Sequence, residues 1–159
     1  MKKNFRIATM AYLIFLGATL GAILYAGAVV APVTFGSEKA LGGEVLSHYQ
    51  EGLIMTQNFV RLSYWLLAMI VAVVLYEGYR FKMGEHGKLE QAVTILVLAS
   101  ALLFNYYYLP DIVQMQSMGA EATQTARFAH AHAGSEIDFK VLAAAILALM
   151  IVNMRKACR

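Results

Sequence analysis

The chain has 159 residues, of which 60% are hydrophobic and only 14% are charged. A soluble domain of this size needs about a quarter of its residues charged to cover its surface. The composition therefore excludes an ordinary water-soluble protein, and it indicates that lipid faces much of the chain.

Four apolar segments follow one another along the chain. Residues 7–37 and 91–110 contain no charged side chain, and both segments are long enough to cross a hydrocarbon core of about 30 Å. Residues 62–76 and 141–154 are shorter uncharged segments. The basic residues that flank these two segments can snorkel to the interface, which lengthens each span by about one turn.

These segments predict an all-α fold, an integral membrane four-helix bundle in contact with the lipid bilayer. A soluble four-helix bundle would show a polar stripe along every helix, and none of the four segments has one. No linker divides the chain, so we expect a single domain over residues 1–159. The predicted helices cover about residues 7–31, 58–81, 90–118 and 136–155.

The distribution of basic residues predicts the orientation. Four of the thirteen Lys and Arg residues fall on one side of the predicted bundle, which leaves nine on the side of both termini and of the loop between the second and third helices. Because basic residues concentrate in cytoplasmic segments, we expect cytoplasmic N and C termini in a bacterial inner membrane protein. The longer connections, about residues 33–57 and 110–136, then lie outside. The same bias accounts for the net charge of +3, so we expect no nucleic-acid partner.

The first predicted helix carries a row of small residues. Gly17 and Gly21 lie one turn apart, and such rows let helices approach closely in lipid. We expect this face to pack against another helix, either within the chain, in a homo-oligomer or in a larger membrane complex.

A metal site on the outer face is one hypothesis for the polar residues, with His132, His130, Met115, Met118 and His48 as its ligands. Thioether with imidazole suits copper(I), and imidazole with carboxylate suits zinc or copper(II). His130 and His132 point about 200° apart on a regular helix, so both cannot bind one ion from it. Met115 and Met118 can share a helix face. The alternative is that the methionines pack in the protein and the histidines are solvated.

Two polar side chains near the predicted spans are expected to interact between helices. Arg61 is a candidate partner for Asp111 or Glu136 on the outer side. Asn105 is expected to be buried and to donate a hydrogen bond to another helix, where it would act as structural glue.

The sequence favours a protein without catalytic activity. Ser135 with Asp138 resembles a capping box that opens the last helix, so Ser135 need not be a nucleophile. No Gly-x-Ser-x-Gly elbow is present, and no carboxylate pair falls inside a predicted span. Haem held within the bundle is disfavoured because all four histidines fall outside the predicted spans: His48, His86, His130 and His132.

Three short motifs resemble the transmembrane protein 205 family and its bacterial relatives. They are AGAVVAPVTF at residues 26–35, NYYYLPDI at residues 105–112 and the spacing Phe-x-x-x-His-x-x-Ser at residues 128–135. The matching positions are Pro32, Phe35, Asn105, Pro110, His132 and Ser135. The resemblance implies a four-helix membrane domain of largely undefined activity, with Arg61 at the place of a further polar residue of the family. The chain departs from the family pattern at Phe139, where the family tends to have Asn, and at Asp111, where it tends to have a second Pro.

These observations leave three functional hypotheses. The first is a membrane protein that handles a metal ion or a small solute at its outer face, with His132 as its leading residue. The second is a non-catalytic scaffold or accessory subunit that packs through the first helix. A haem- or quinone-linked oxidoreductase has the least support. Under the first hypothesis we expect His132→Ala to impair function more than His86→Ala, because His86 lies in a loop flanked by glycines.

Overall fold

The computed structural model describes residues 3–157, and within this part of the chain the regular structure is entirely helical. In chain order the helical elements are α1 (Lys3–Tyr25), a π-helical turn (Ala26–Val30), α2 (Ala31–Thr34), α3 (Ser37–Leu41), α4 (His48–Lys82), α5 (Lys88–Leu103), a second π-helical turn (Phe104–Tyr108), α6 (Leu109–Ser117), a 3-10 turn (Ala122–Gln124) and α7 (Ala126–Ala157). Four continuous helical spans are long and apolar enough to cross a membrane: Phe5–Thr34, His48–Lys82, Lys88–Ser117 and Ala126–Lys156. The predicted all-α membrane bundle is confirmed.

Each π-helical turn ends two residues before a proline. Pro32 and Pro110 are the second residues of α2 and α6. A proline has no N–H to donate, and its ring collides with the carbonyl four residues earlier in a regular helix. The wider turns at Ala26–Val30 and Phe104–Tyr108 contain those carbonyls, so both spans continue past the proline.

Two membrane helices begin about ten residues before the bounds expected from hydropathy. α4 begins after Ser47, whose Oγ accepts a hydrogen bond from the Gln50 N–H at 3.3 Å, while the Gln50 side chain accepts from the Ser47 N–H at 2.8 Å. α7 begins at Ala126, after Thr125, whose Oγ1 accepts from the Phe128 N–H. Hydropathy indicates only the part of a helix that lies in lipid. Polar first turns with capping side chains extend the helix beyond that part.

The four spans form a closed ring of neighbours. α1 packs against α4 and α7, and α5 packs against the same two helices. Their interior faces are filled by apolar side chains that include Leu16, Leu66, Val97 and Leu142, all with 0% exposure. Many large apolar side chains on the outer faces are exposed, as expected for helices that contact lipid.

The small-residue row of α1 divides between two environments. A Cβ added at Gly17 would lie 3.3 Å from Met150 Cε, so Gly17 allows α7 to approach. A Cβ added at Gly21 would meet nothing within 4 Å. Part of the predicted packing face is thus used inside the chain.

The bundle has two different ends. Near the start of α1, the Tyr12 hydroxyl donates to Glu77 near the end of α4, and Glu77 also contacts Asn153 near the end of α7. We call this end, which holds the first and last described residues, the terminal end. The opposite end, which carries the connections at residues 35–47 and 118–125, is the loop end.

Candidate functional site

A cavity of about 940 Å³ opens at the loop end of the bundle. Its walls come from α4, α6 and α7, together with the π-helical turn Ala26–Val30 and α2. Most of the lining is apolar, and five phenylalanines dominate it: Phe35, Phe59, Phe104, Phe128 and Phe139.

Three of these phenylalanines contact one another at the inner side of the cavity. The ring centroids of Phe59 and Phe139 lie 5.2 Å apart with their planes nearly perpendicular, and those of Phe104 and Phe139 lie 5.0 Å apart. Edge-to-face and tilted contacts of this kind stabilise aromatic clusters. All three rings line the cavity, so the cluster forms its apolar inner wall.

Two histidines reach the cavity from different helices. His132 projects from α7, and its ring stacks on Phe128 with a centroid distance of 6.0 Å. His48 projects from the start of α4, where its Nδ1 lies 3.4 Å from a carboxylate oxygen of Glu51. Glu51 also accepts a hydrogen bond from the Ser37 hydroxyl at 2.6 Å. The Glu51 carboxylate is therefore hydrogen-bonded to the connection before α4, whereas both histidines line the cavity.

The five predicted metal ligands do not converge. His48 and His132 share the cavity, but His130 lines a separate cleft beside the second π-helical turn. The two α7 histidines therefore face different openings. Met115 is buried, whereas Met118, after the end of α6, is 68% exposed. Among residues 3–157 no three His, Cys, Asp or Glu side chains are placed to hold a metal ion.

The expected partners of Arg61 pair with other residues. Asp111 contacts Arg127 in an ion pair, and Glu136 accepts a hydrogen bond from Lys140 at 2.7 Å. Each carboxylate pairs with the α7 base nearest to it, so the predicted pairing with Arg61 is wrong.

Asn105 is buried, as predicted, but its partner lies on its own span. Its Nδ2 donates to the Ala101 carbonyl oxygen at 2.7 Å. A side chain that bonds back to the preceding turn needs no second helix. The expected hydrogen bond from Asn105 to another helix is therefore replaced by a local one.

The capping box predicted at Ser135 and Asp138 is wrong, because both residues lie well inside α7. The Ser135 hydroxyl donates to the His132 carbonyl oxygen at 2.7 Å. Asp138 is buried against α5, where the Ser100 Oγ lies 2.6 Å from its Oδ1. The other carboxyl oxygen of Asp138, Oδ2, has no hydrogen-bond partner among the described residues. Sequence reasoning missed this buried acid.

A second group of polar residues fills the terminal end, and we call it the ionic cluster. Its members are Glu77, Arg80, Glu90, Asn153, His86, Tyr12 and Lys156. Glu77 is its centre: one carboxylate oxygen accepts from the Tyr12 hydroxyl and from Asn153 Nδ2, both at 2.9 Å. The other oxygen lies 2.7 Å from His86 Nε2. The His86 side chain is only 4% exposed, although His86 lies in the loop between α4 and α5.

The second half of the ionic cluster joins α4 to α5 and α7. Arg80 lies between two carboxylates, 3.6 Å from Glu77 and 3.2 Å from Glu90, and it also contacts the Asn153 amide oxygen. Glu90 pairs in addition with Lys156. The two buried acids and the two bases are equal in number, a third and half-exposed acid, Glu85, lies 3.8 Å from Arg80 Nε, and the cluster ties all four spans together. Such a set of paired charges suits a structural clamp better than a ligand site.

The four spans and the apolar cavity define a small polytopic integral membrane protein. Its family is shown by residues 14–121, which match the model described as Domain of unknown function (DUF4149), so the chain belongs to that family. No curated protein and no solved structure matched the chain. The matched region takes in both prolines and both π-helical turns, and it ends before His132. The resemblance to the transmembrane protein 205 family stays a prediction.

Proposed function

We propose that the protein binds an amphipathic small molecule in the loop-end cavity. The apolar body of this molecule would lie against the five phenylalanines, and a head that carries a hydrogen-bonding oxygen would lie near His132 and His48. The cavity carries this proposal, because ligand sites typically enclose about 300–1,000 Å³ and combine an apolar lining with a few polar groups. Its volume of about 940 Å³ falls in that range.

The contrast with the rest of the interior supports a binding role. Protein interiors are close-packed and leave few voids larger than a water molecule. Along α7, Leu142, Ile146 and Leu149 are fully buried, so the middle of the bundle follows this rule. The cavity lies instead at the loop end, where the π-helical turn Ala26–Val30 is across from the residues of α7.

The polar groups of the cavity favour a small oxygen-bearing head over a metal ion. Among the described residues no three His, Cys, Asp or Glu side chains converge on one point, and the nearby carboxylates of Glu136 and Glu51 are bonded to Lys140 and Ser37. The imidazoles of His132 and His48 can each donate or accept a hydrogen bond. A hydroxyl, carbonyl or carboxylate oxygen would satisfy them.

We also propose the setting in which this binding takes place. The bias of nine basic residues to four supports cytoplasmic termini, and the motifs shared with the transmembrane protein 205 family support a bacterial inner membrane relative of that family. The cavity would then open toward the outer side of the membrane.

The test is photolabelling of the purified protein in lipid nanodiscs with a fatty acid that carries a diazirine in its chain. We expect saturable labelling of the α4 and α7 peptides that line the cavity. Gly27→Phe should lower this labelling severalfold. Gly27 lines the cavity, and a Cβ there meets nothing within 4 Å, so the new ring can fill the space without a backbone clash.

Gly21→Phe is the matched control. Gly21 lies on the same span and is equally open, but it does not line the cavity, so labelling should equal that of the unchanged protein. Equal labelling of both variants, or labelling spread over the lipid-facing surfaces without saturation, would contradict the proposal.

A further inference from the structure

We infer that Asp138 is a proton-binding site in the membrane interior, which holds its proton against Ser100 and exchanges it through the loop-end cavity. The inference goes beyond ligand binding, because it rests on a buried side-chain pair and does not require that the cavity hold a ligand.

The distances between the oxygen atoms indicate how many protons the pair of Asp138 and Ser100 holds. The Ser100 Oγ lies 2.6 Å from Asp138 Oδ1 and 3.0 Å from the Asp138 carbonyl oxygen. A serine hydroxyl has one proton to donate and two lone pairs that accept, so it can donate to only one of these two oxygens. Both contacts become hydrogen bonds when Asp138 carries a proton on Oδ1 and donates it to Ser100, while Ser100 donates to the carbonyl oxygen.

The surroundings of Asp138 favour the same protonated form. Asp138 is 8% exposed, and its Oδ2 has no hydrogen-bond partner among the described residues. Its charged neighbours on α7, Glu136 and Lys140, are exposed and pair with each other. α5 contributes the Ser100 hydroxyl, and α4 contributes Phe59, which packs on Phe139. Burial without a cation disfavours an ionised carboxylate in this setting, and the neutral acid avoids that cost.

The packing around Asp138 gives its proton one direction of exchange. Ser135 and Phe139, which flank Asp138 on α7, both line the cavity. Toward the terminal end, the side chains Leu142, Ile146 and Val97 are apolar and have 0% exposure. On α7 the nearest member of the ionic cluster is Asn153, fifteen residues on, or about 22 Å at 1.5 Å per residue. The proton of Asp138 therefore exchanges with the loop end of the bundle and does not exchange with the terminal end.

A purely structural pair between α5 and α7 is the alternative, since side-chain hydrogen bonds of this kind hold membrane helices together. The two readings differ in one property. A structural pair needs a hydrogen bond, which Asp138→Asn can keep, whereas a proton-binding site needs an acid.

The first experiment uses dicyclohexylcarbodiimide, a hydrophobic reagent for protonated carboxyl groups. The acid adds across one C=N bond, its proton moves to nitrogen, and the acyl group migrates to the other nitrogen to give a stable N-acylurea with no leaving group. In nanodiscs at neutral pH we expect mass spectrometry to find this adduct on Asp138. Gly27→Phe should slow its formation severalfold, while Gly21→Phe and Glu136→Gln should not. An unmodified Asp138, or a rate that Gly27→Phe leaves unchanged, would overturn the inference.

The second experiment is infrared spectroscopy of the same nanodiscs, which detects the C=O stretch of a protonated carboxylic acid directly. We expect one such band at neutral pH that disappears in Asp138→Asn, shifts in Ser100→Ala and stays in Glu136→Gln. A spectrum in which Asp138→Asn changes no acid band would show that the carboxyl is ionised and would refute the inference. Neither measurement involves the fatty acid, so failure here is separate from failure of the ligand-binding proposal.

Discussion

The two ends of the bundle differ in where their charged side chains lie. At the terminal end the charges are buried and paired across helices, with Glu77, Arg80 and Glu90 all 3% exposed or less. At the loop end the ion pairs lie on the surface, as with Glu136 and Lys140 of α7. Between the helices at this end lies the mostly apolar cavity, with Glu136 and Lys140 at its lining.

This difference shows how one bundle can be both stable and open. A cluster that involves all four spans fixes their spacing at one end, so the other end does not have to be closed by packing. The short connection between α4 and α5 takes part, since His86 lies within it. The longer connections at the loop end contribute only local contacts, such as Ser37 with Glu51.

The largest effect that the comparison predicts is at Arg80. Arg80→Ala leaves the carboxylates of Glu77 and Glu90 buried without their shared cation, and removal of one partner from a buried ion pair typically costs about 3–5 kcal/mol. We expect a loss of that size in the free energy of unfolding, measured with denaturant in detergent micelles. Lys82→Ala, at an exposed position on the same helix, is the control. Equal stabilities of the two variants would mean that the cluster is not a clamp.

A smaller effect separates the two histidines. His86→Ala removes the hydrogen-bond partner of one Glu77 oxygen, and an unsatisfied buried polar group costs about 1–3 kcal/mol. We expect thermal unfolding to show this loss for His86→Ala and little change for His132→Ala, whose side chain is exposed. Labelling by the diazirine fatty acid should show the reverse order. If His132→Ala destabilised the protein as much as His86→Ala, the division of roles between the ends would not hold.

The smallest effect concerns the fit of the second π-helical turn against α7. A Cβ added at Gly134 would lie 2.7 Å from Tyr108 Cε1. Gly134→Ala should therefore cost about 1 kcal/mol, at the lower end for overpacking, because the half-buried tyrosine ring can move outward. Gly78→Ala, where a Cβ meets nothing within 4 Å, should cost nothing in the same unfolding measurement. Equal effects would show that Tyr108 does not depend on a glycine beneath it.

The sequence predicted the fold class because hydropathy alone reports which segments lie in lipid. It did not predict that α7 begins at Ala126, because capped polar turns carry no hydropathy signal. The ionic cluster was missed because residues from four helices and a loop form it, and only the local pair of Glu77 and Arg80 was visible in the sequence. The burial of His86 against Glu77 was missed for the same reason.

Asp138 shows a different limit of sequence reasoning. It lies on the same face of α7 as Leu142, Leu149 and Asn153, all of which are buried. In a soluble helix the polar opposite face would have marked this stripe. In a membrane helix both faces are apolar, so the sequence does not distinguish the interior side from the lipid side. The position of Asp138 on the buried face of α7 could therefore not be predicted from helix spacing.

The wide turns before the two prolines have a consequence for the length of the chain. Such a turn holds one residue more than an α-helical turn, and one residue corresponds to about 100° of rotation. Deletion of a single residue from Ala26–Val30 would either rotate the rest of the span or leave an ordinary α-helical turn, in which the Pro32 ring collides with the carbonyl four residues earlier. Relatives that retain the cavity should therefore tolerate exchanges of side chain here more readily than any change in the number of residues.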